Sequence, residues 1–176
     1  MKKCIIVVLC IICVLLSACS SGGNNMALTN DERIAKKKFE EVVSAIQMQD
    51  KESLKTLFSR TITENEDTLD EDTTRIMSYF CGEVVSYTDW DCLYVEDSKE
   101  NGHIFQAMES TYDIKTTEDE YRLALRFVTK DTSCPDNVGI YSLYVIRKQE
   151  DILLTYAYWG DGKFTPGINI GIQNTE

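Results

Sequence analysis

Apolar positions change their period once along this chain. Ile34, Ala35, Phe39, Val42, Val43 and Ile46 recur at three- and four-residue intervals, and Lys36, Lys37, Lys38, Glu40 and Glu41 fill the places between them. That spacing predicts an amphipathic helix of roughly four turns. Asn30 or Asp31 is the expected N-cap, with Asp31 and Glu32 acidic in the first turn. Asp50 is the expected cap of a shorter helix that buries Leu54, Leu57 and Phe58. Residues 61–72 read as an acidic loop. A third helix carries Ile76, Met77 and Phe80 and stops near Gly82, a helix-ending residue type.

Beyond Gly82 the period shortens. Residues 83–87 and 90–95 read as strands, and Asn101-Gly102 is the strongest short hairpin signal. Residues 104–115 form a long extended segment, and Thr117, Glu118 and Asp119 turn the chain. Tyr121, Leu123, Leu125 and Phe127 then alternate with Arg122, Ala124, Arg126 and Val128, so that strand has two distinct faces. A loop with Pro135 leads to a strand over 138–147, a turn at 149–151 and a returning strand over 152–159. The glycine-rich tail is expected to wrap the sheet edge. Helices first and antiparallel strands afterwards predict an α+β domain, with N-terminal helices packed on a curved antiparallel sheet.

The N-terminus has a different logic. Lys2 and Lys3 precede an unbroken apolar run from Cys4 to Leu16, too short to span a bilayer but right for a secretory signal. The run ends in Leu16-Ser17-Ala18-Cys19, which resembles the lipobox of bacterial lipoproteins. The resemblance implies diacylglycerol transfer to the Cys19 thiol, further acylation of the palmitate kind, and cleavage between Ala18 and Cys19. Residues 1–18 are therefore expected to be a signal peptide, 19–30 a Gly/Ser-containing tether, and 31–176 a single domain on the outer side of the cell membrane.

Charge narrows the partners. The chain carries 18 basic and 29 acidic residues, a net charge of −11, and losing Lys2 and Lys3 makes it more acidic still. Such a surface repels nucleic acid and anionic headgroups, so the expected membrane contact is the N-terminal lipid alone. Cys4, Cys10 and Cys13 leave with the signal, and Cys81, Cys92 and Cys134 stay in the domain. A Cys92–Cys134 disulfide and three unpaired thiols are both open readings. No cysteine spacing suits zinc. The acids Glu66, Asp67, Asp70 and Asp72 lack the glycine turn and spacing of a calcium loop, and Asp161-Gly162 reads as a turn. No metal and no cofactor is expected. His103, the only histidine, follows the Asn-Gly turn and is expected at an exposed strand start rather than in a catalytic set.

Two resemblances extend this reading. The segment from Asp50 to Ser59, "DKESLKTLFS", following a long first helix, resembles the opening of the nuclear transport factor 2-like (SnoaL-like) cone fold. That implies long strands curling around the helices to leave a pocket at the open end. "KKFEEVVSAIQ", "GEVVSY", "GIYSLYVI" and "PGINI" are similar to an uncharacterised family of Gram-positive lipoproteins, domain of unknown function 5104. That family lends location and fold and no catalytic residues.

No segment carries a catalytic signature. The expected function is that of a lipid-anchored extracytoplasmic domain that binds a small ligand in its cone or another envelope protein on its sheet. Tyr112, Tyr121, Tyr141, Tyr144 and Trp159 are the candidate pocket residues, because rings supply apolar area and hydroxyls supply orientation. The alternative is a SnoaL-like enzyme using Asp113 or Glu109, sunk in an apolar pocket, as general base. Arg122 and Arg126 share one strand face; a carboxylate clamp is open to them, and a solvent-facing pair is the expectation.

Overall fold

The computed structural model describes residues 28–90, 93–151 and 165–171. Four helices come first: α1 (Asn30–Gln47), α2 (Lys51–Thr56), α3 (Arg60–Asn65) and α4 (Leu69–Tyr79). Six strands follow: β1 (Val84–Asp89), β2 (Tyr94–Glu100), β3 (His103–Thr116), β4 (Glu120–Asp131), β5 (Gly139–Arg147) and β6 (Gly167–Ile170). They form a curved sheet that does not close into a barrel, ordered β1-β3-β4-β5-β6, with β2 also paired to β3. The architecture is the expected α+β cone of helices on a curved sheet. Among the described strands the pairings are antiparallel except β5 with β6, so the sheet is mixed where an antiparallel one was expected.

Helix α1 begins one residue earlier than the expected caps. The Thr29 hydroxyl accepts from the Glu32 amide, and the Glu32 carboxylate accepts from the Thr29 amide. A Thr-x-x-Glu box satisfies two orphan donors at once, which neither Asn30 nor Asp31 achieves alone. Asp50 caps α2 as expected, accepting from the Ser53 amide and hydroxyl. Those bonds, the hydroxyl's first, hold its carboxyl below the usual carboxylate range. The cap is therefore in place at neutral pH and is lost as acidification passes that lowered value.

The acidic stretch over 61–72 is not a loop. Ser59 caps α3, Ile62 and Leu69 are buried, and Asp70, Glu71 and Asp72 occupy the first turn of α4. Acids there complement the positive end of the helix dipole, so the charge that suggested a solvated loop is a helix start. The chain between α2 and α3 crosses onto the sheet, where Ser59 N donates to Ile140 O at 3.0 Å and Ile140 N to Leu57 O at 2.9 Å. Gly139 makes that crossing possible. Its φ is +132°, and a Cβ there would stand 2.6 Å from Ser59 N. Gly139→Ala is expected to destabilise the fold by roughly 1–3 kcal/mol, as overpacking against backbone does, read as a lower urea midpoint.

The Asn101-Gly102 hairpin forms as expected. Both residues have positive φ, and Glu100 pairs directly with His103. β2 spans Tyr94–Glu100 instead of starting at Trp90, because Trp90 still follows β1, its amide donating to Thr111 O. The expected strand over 152–159 lies outside the described residues. The tail does reach the sheet edge, as the four-residue β6 parallel to β5.

One face of the long strands looks at the helices. Met108, Tyr112 and Ile114 of β3, Tyr121, Leu123, Leu125 and Phe127 of β4, and Ile140, Leu143 and Val145 of β5 join Phe39, Val42, Ile46, Leu54 and Ile76 in one core. The opposite face carries a smaller apolar cluster, Ala124, Tyr144 and Ile146.

Candidate functional site

The interior of the cone is largely filled by its own aromatic side chains. Phe39 of α1 stacks on Tyr112 with ring centroids 3.9 Å apart, and Tyr87 meets Phe39 edge-on at 4.8 Å. Phe80 stacks on Tyr121 at 4.4 Å. Of the five aromatics expected to share a pocket, the four among the described residues separate accordingly. The Tyr121 hydroxyl is spent on structure, donating to Tyr79 O and accepting from Cys81 N. Tyr144 faces the other side of the sheet, where its hydroxyl accepts from the Thr165 amide. Tyr141 packs half-buried against the core. Trp159 lies outside the described residues. Tyr112 lines a cleft.

That cleft, about 390 Å³, opens where the first turns of α1 meet the middle of β3. Leu28, Glu32, Ala35 and Lys36 form one wall, and Asp89, Trp90 and Leu93 with Ser110–Tyr112 of β3 form the other. Ser110 is the unusual member. Strand alternation puts it on the inward face with Met108, Tyr112 and Ile114. It is 6% exposed, and its Oγ has no hydrogen-bond partner among the described residues. The Tyr112 hydroxyl is near enough to feel that of Ser110, yet no bond of ordinary geometry satisfies the serine. An unmade hydrogen bond on a buried hydroxyl costs about 1–3 kcal/mol. Strand alternation along β3 already places this polar residue in the mostly apolar inward row, between Met108 and Tyr112.

The cleft is negatively biased. Burial, then the nearby Asp89 carboxylate, push the Tyr112 phenol up to about 12. The Tyr87 phenol is raised as well, first by burial and then by Glu40, whose carboxylate accepts its hydroxyl at 2.6 Å.

Asp113 and Glu109 stand on the far face of β3, away from this cleft. Arg122 grips Asp113 with two nitrogens, Nε to Oδ1 at 2.9 Å and Nη2 to Oδ2 at 3.2 Å, while its Nη1 reaches Asp151 at 3.0 Å. Its guanidinium lies 4.2 Å from the Trp90 ring centroid, and Lys148 Nζ adds a contact to Asp113 at 3.0 Å. Arg126 pairs with Glu109 and, at 2.8 Å, with Glu96. The expectation of solvent-facing arginines is thus overturned. The Arg122 side chain is 4% exposed, and both arginines clamp carboxylates of their own chain. Direct cross-strand pairing, Asp113 with Arg122 and Glu109 with Arg126, is the physical reason.

His103 is exposed at the first position of β3. Cys81 is half-buried and Cys134 exposed, both as free thiols, while Cys92 lies outside the described residues. Among the described residues no group of three or more His, Cys, Asp or Glu side chains is placed to hold a metal ion, and no helix is long and apolar enough to cross a membrane.

A family model described as a domain of unknown function (DUF5104) matches residues 41–148, from the last two turns of α1 through the end of β5. No curated protein matches the chain.

Proposed function

The chain belongs to the DUF5104 family, and on that premise we propose that it is a lipid-anchored extracytoplasmic domain with a nuclear transport factor 2-like (SnoaL-like) cone that binds a small ligand at the end of α1. The observation that carries the binding is the buried, unsatisfied Ser110 hydroxyl lining a cleft of ligand size. A ligand that bonds to Ser110 recovers the cost of leaving it unmade. The filled interior restricts the ligand to the cleft. The enzyme alternative is weaker, because its two candidate bases point out of the cone into arginine pairs instead of into an apolar pocket.

The anchor rests on the sequence from Lys2 to Cys19. Each buried methylene contributes about 0.8 kcal/mol, and two acyl chains hold a protein where one does not. Feeding cells a clickable palmitate analogue is expected to label the wild-type chain and not the Cys19→Ala variant. Label retained by the variant, or absent from the wild type, refutes the anchor. For the cleft, the full chain purified in detergent is expected to release a small molecule on denaturation, seen by mass spectrometry. A chain that releases nothing counts against the binding.

A further inference from the structure

The chemistry of the cleft wall restricts what it takes. Asp89, exposed at the end of β1, forms no ion pair among the described residues. Glu32 also lines the cleft, but its carboxylate is engaged in the α1 cap at 2.6 Å. Lys36 is the one cation among the described lining residues, and its Nζ lies over the Tyr87 ring, 5.8 Å from the centroid. Two carboxylates against one ammonium leave the wall negative, on a chain whose net charge is already −11. An anionic ligand there meets repulsion at close and long range, and a cation meets attraction at both. Between the charged rim and the apolar floor of Ala35, Leu93 and the Tyr112 ring lies the orphan Ser110 hydroxyl.

We infer that the cleft takes a small molecule through a protonated amine, with Asp89 as counter-charge and Ser110 Oγ as the partner of a second polar group or of the amine itself. This rests on the ligand-binding reading above. Burial first, and then the Asp89 carboxylate, raise the Tyr112 phenol in the same cleft. The amine is borne either by a free molecule or by a lipid headgroup. The wall residue Leu28 stands only nine positions after Cys19, so the cleft lies close in sequence to the proposed anchor.

The probes are benzylamine, benzyl alcohol and benzoate, of one size and shape and of charge +1, 0 and −1 at pH 7. They are titrated into the isotope-labelled full chain in detergent and followed by amide NMR shifts. Benzylamine is expected to give saturable shifts at Asp89, Ser110 and Tyr112. Its affinity should fall about tenfold in Asp89→Asn, as loss of a charged hydrogen-bond partner does, while the alcohol is unaffected by that change. Benzoate should give no saturable shift. In a second arm the wild-type chain sits in phosphatidylglycerol nanodiscs with or without phosphatidylethanolamine. Shifts at the same amides on adding phosphatidylethanolamine identify a lipid-borne amine, and shifts with benzylamine alone identify a free one. Benzyl alcohol or benzoate binding as tightly as benzylamine at the same amides overturns the amine assignment and leaves the cleft a binding site. If no probe moves those amides, the binding reading falls too.

Discussion

Arg122→Ala is expected to destabilise the domain by about 3–5 kcal/mol, the cost of stranding a buried charge. The arginine side chain is 4% exposed and that of Asp151 1% exposed, so little water can take the place of the guanidinium beside Asp151. Asp113 loses a two-nitrogen grip and keeps only Lys148. The Trp90 ring loses the guanidinium beside it. Lysine does not substitute, because a point charge cannot reproduce the planar fork shared between two carboxylates. Arg126→Ala should cost clearly less, since one of its partners, Glu96, is 40% exposed and rehydrates. The check is urea unfolding of the three variants, with the midpoint falling most for Arg122→Ala and the slope unchanged. A further variant separates charge from packing. Arg122→Met combined with Asp113→Asn and Asp151→Asn removes the guanidinium together with both carboxylates it grips and should be more stable than Arg122→Ala alone. If the single alanine is as stable as wild type, the far face of the sheet is not organised around this arginine.

Phe39→Ala is the second large effect, expected at about 3–5 kcal/mol for removing a buried ring from a packed core. Phe39 is fully buried and holds two other rings, Tyr112 by stacking and Tyr87 edge-on. Aromatic pairs add about 0.5–1.5 kcal/mol beyond area burial, so part of the loss belongs to geometry and not to volume. Phe39→Leu keeps most of the volume and should recover most of the stability, leaving the aromatic part as the remainder. Tyr112 both stacks on Phe39 and lines the cleft. The alanine variant is therefore also expected to weaken benzylamine binding, which Arg126→Ala, across the sheet, should leave unchanged. Thermal and urea midpoints check the first part, and the NMR titration the second.

Much of this fold was legible in the order of its residues, for reasons that differ by element. The α1 spacing and the Asp50 cap were readable because a helix declares its face within a few turns. Asn101-Gly102 was readable because only a turn with two positive φ values suits that pair. The stretch over 61–72 reads as a loop because its charges outnumber its two buried apolar residues, Ile62 and Leu69, and acid at a helix start looks like acid in a loop until the cap is seen. The arginines of β4 were misread for a different reason. Whether a polar strand face meets water or another strand's carboxylates depends on register, and register is set across strands rather than along one. The aromatic candidates show the same limit. Period two assigns Tyr112 and Tyr121 to one face and cannot say that the second has its hydroxyl consumed by Tyr79 and Cys81. Period two places Ser110 in the inward row, but whether its hydroxyl finds a partner depends on packing between elements and not on one strand.

The proposal stands on whether the Ser110 hydroxyl, without a hydrogen-bond partner among the described residues, is completed by something the chain binds. Its most direct test is a crystal structure of the full-length protein purified from its own membranes. The account predicts a non-protein group within about 3 Å of Ser110 Oγ, seated between α1 and β3 beside Asp89. A cleft collapsed so that Ser110 bonds to an atom of its own chain would contradict it.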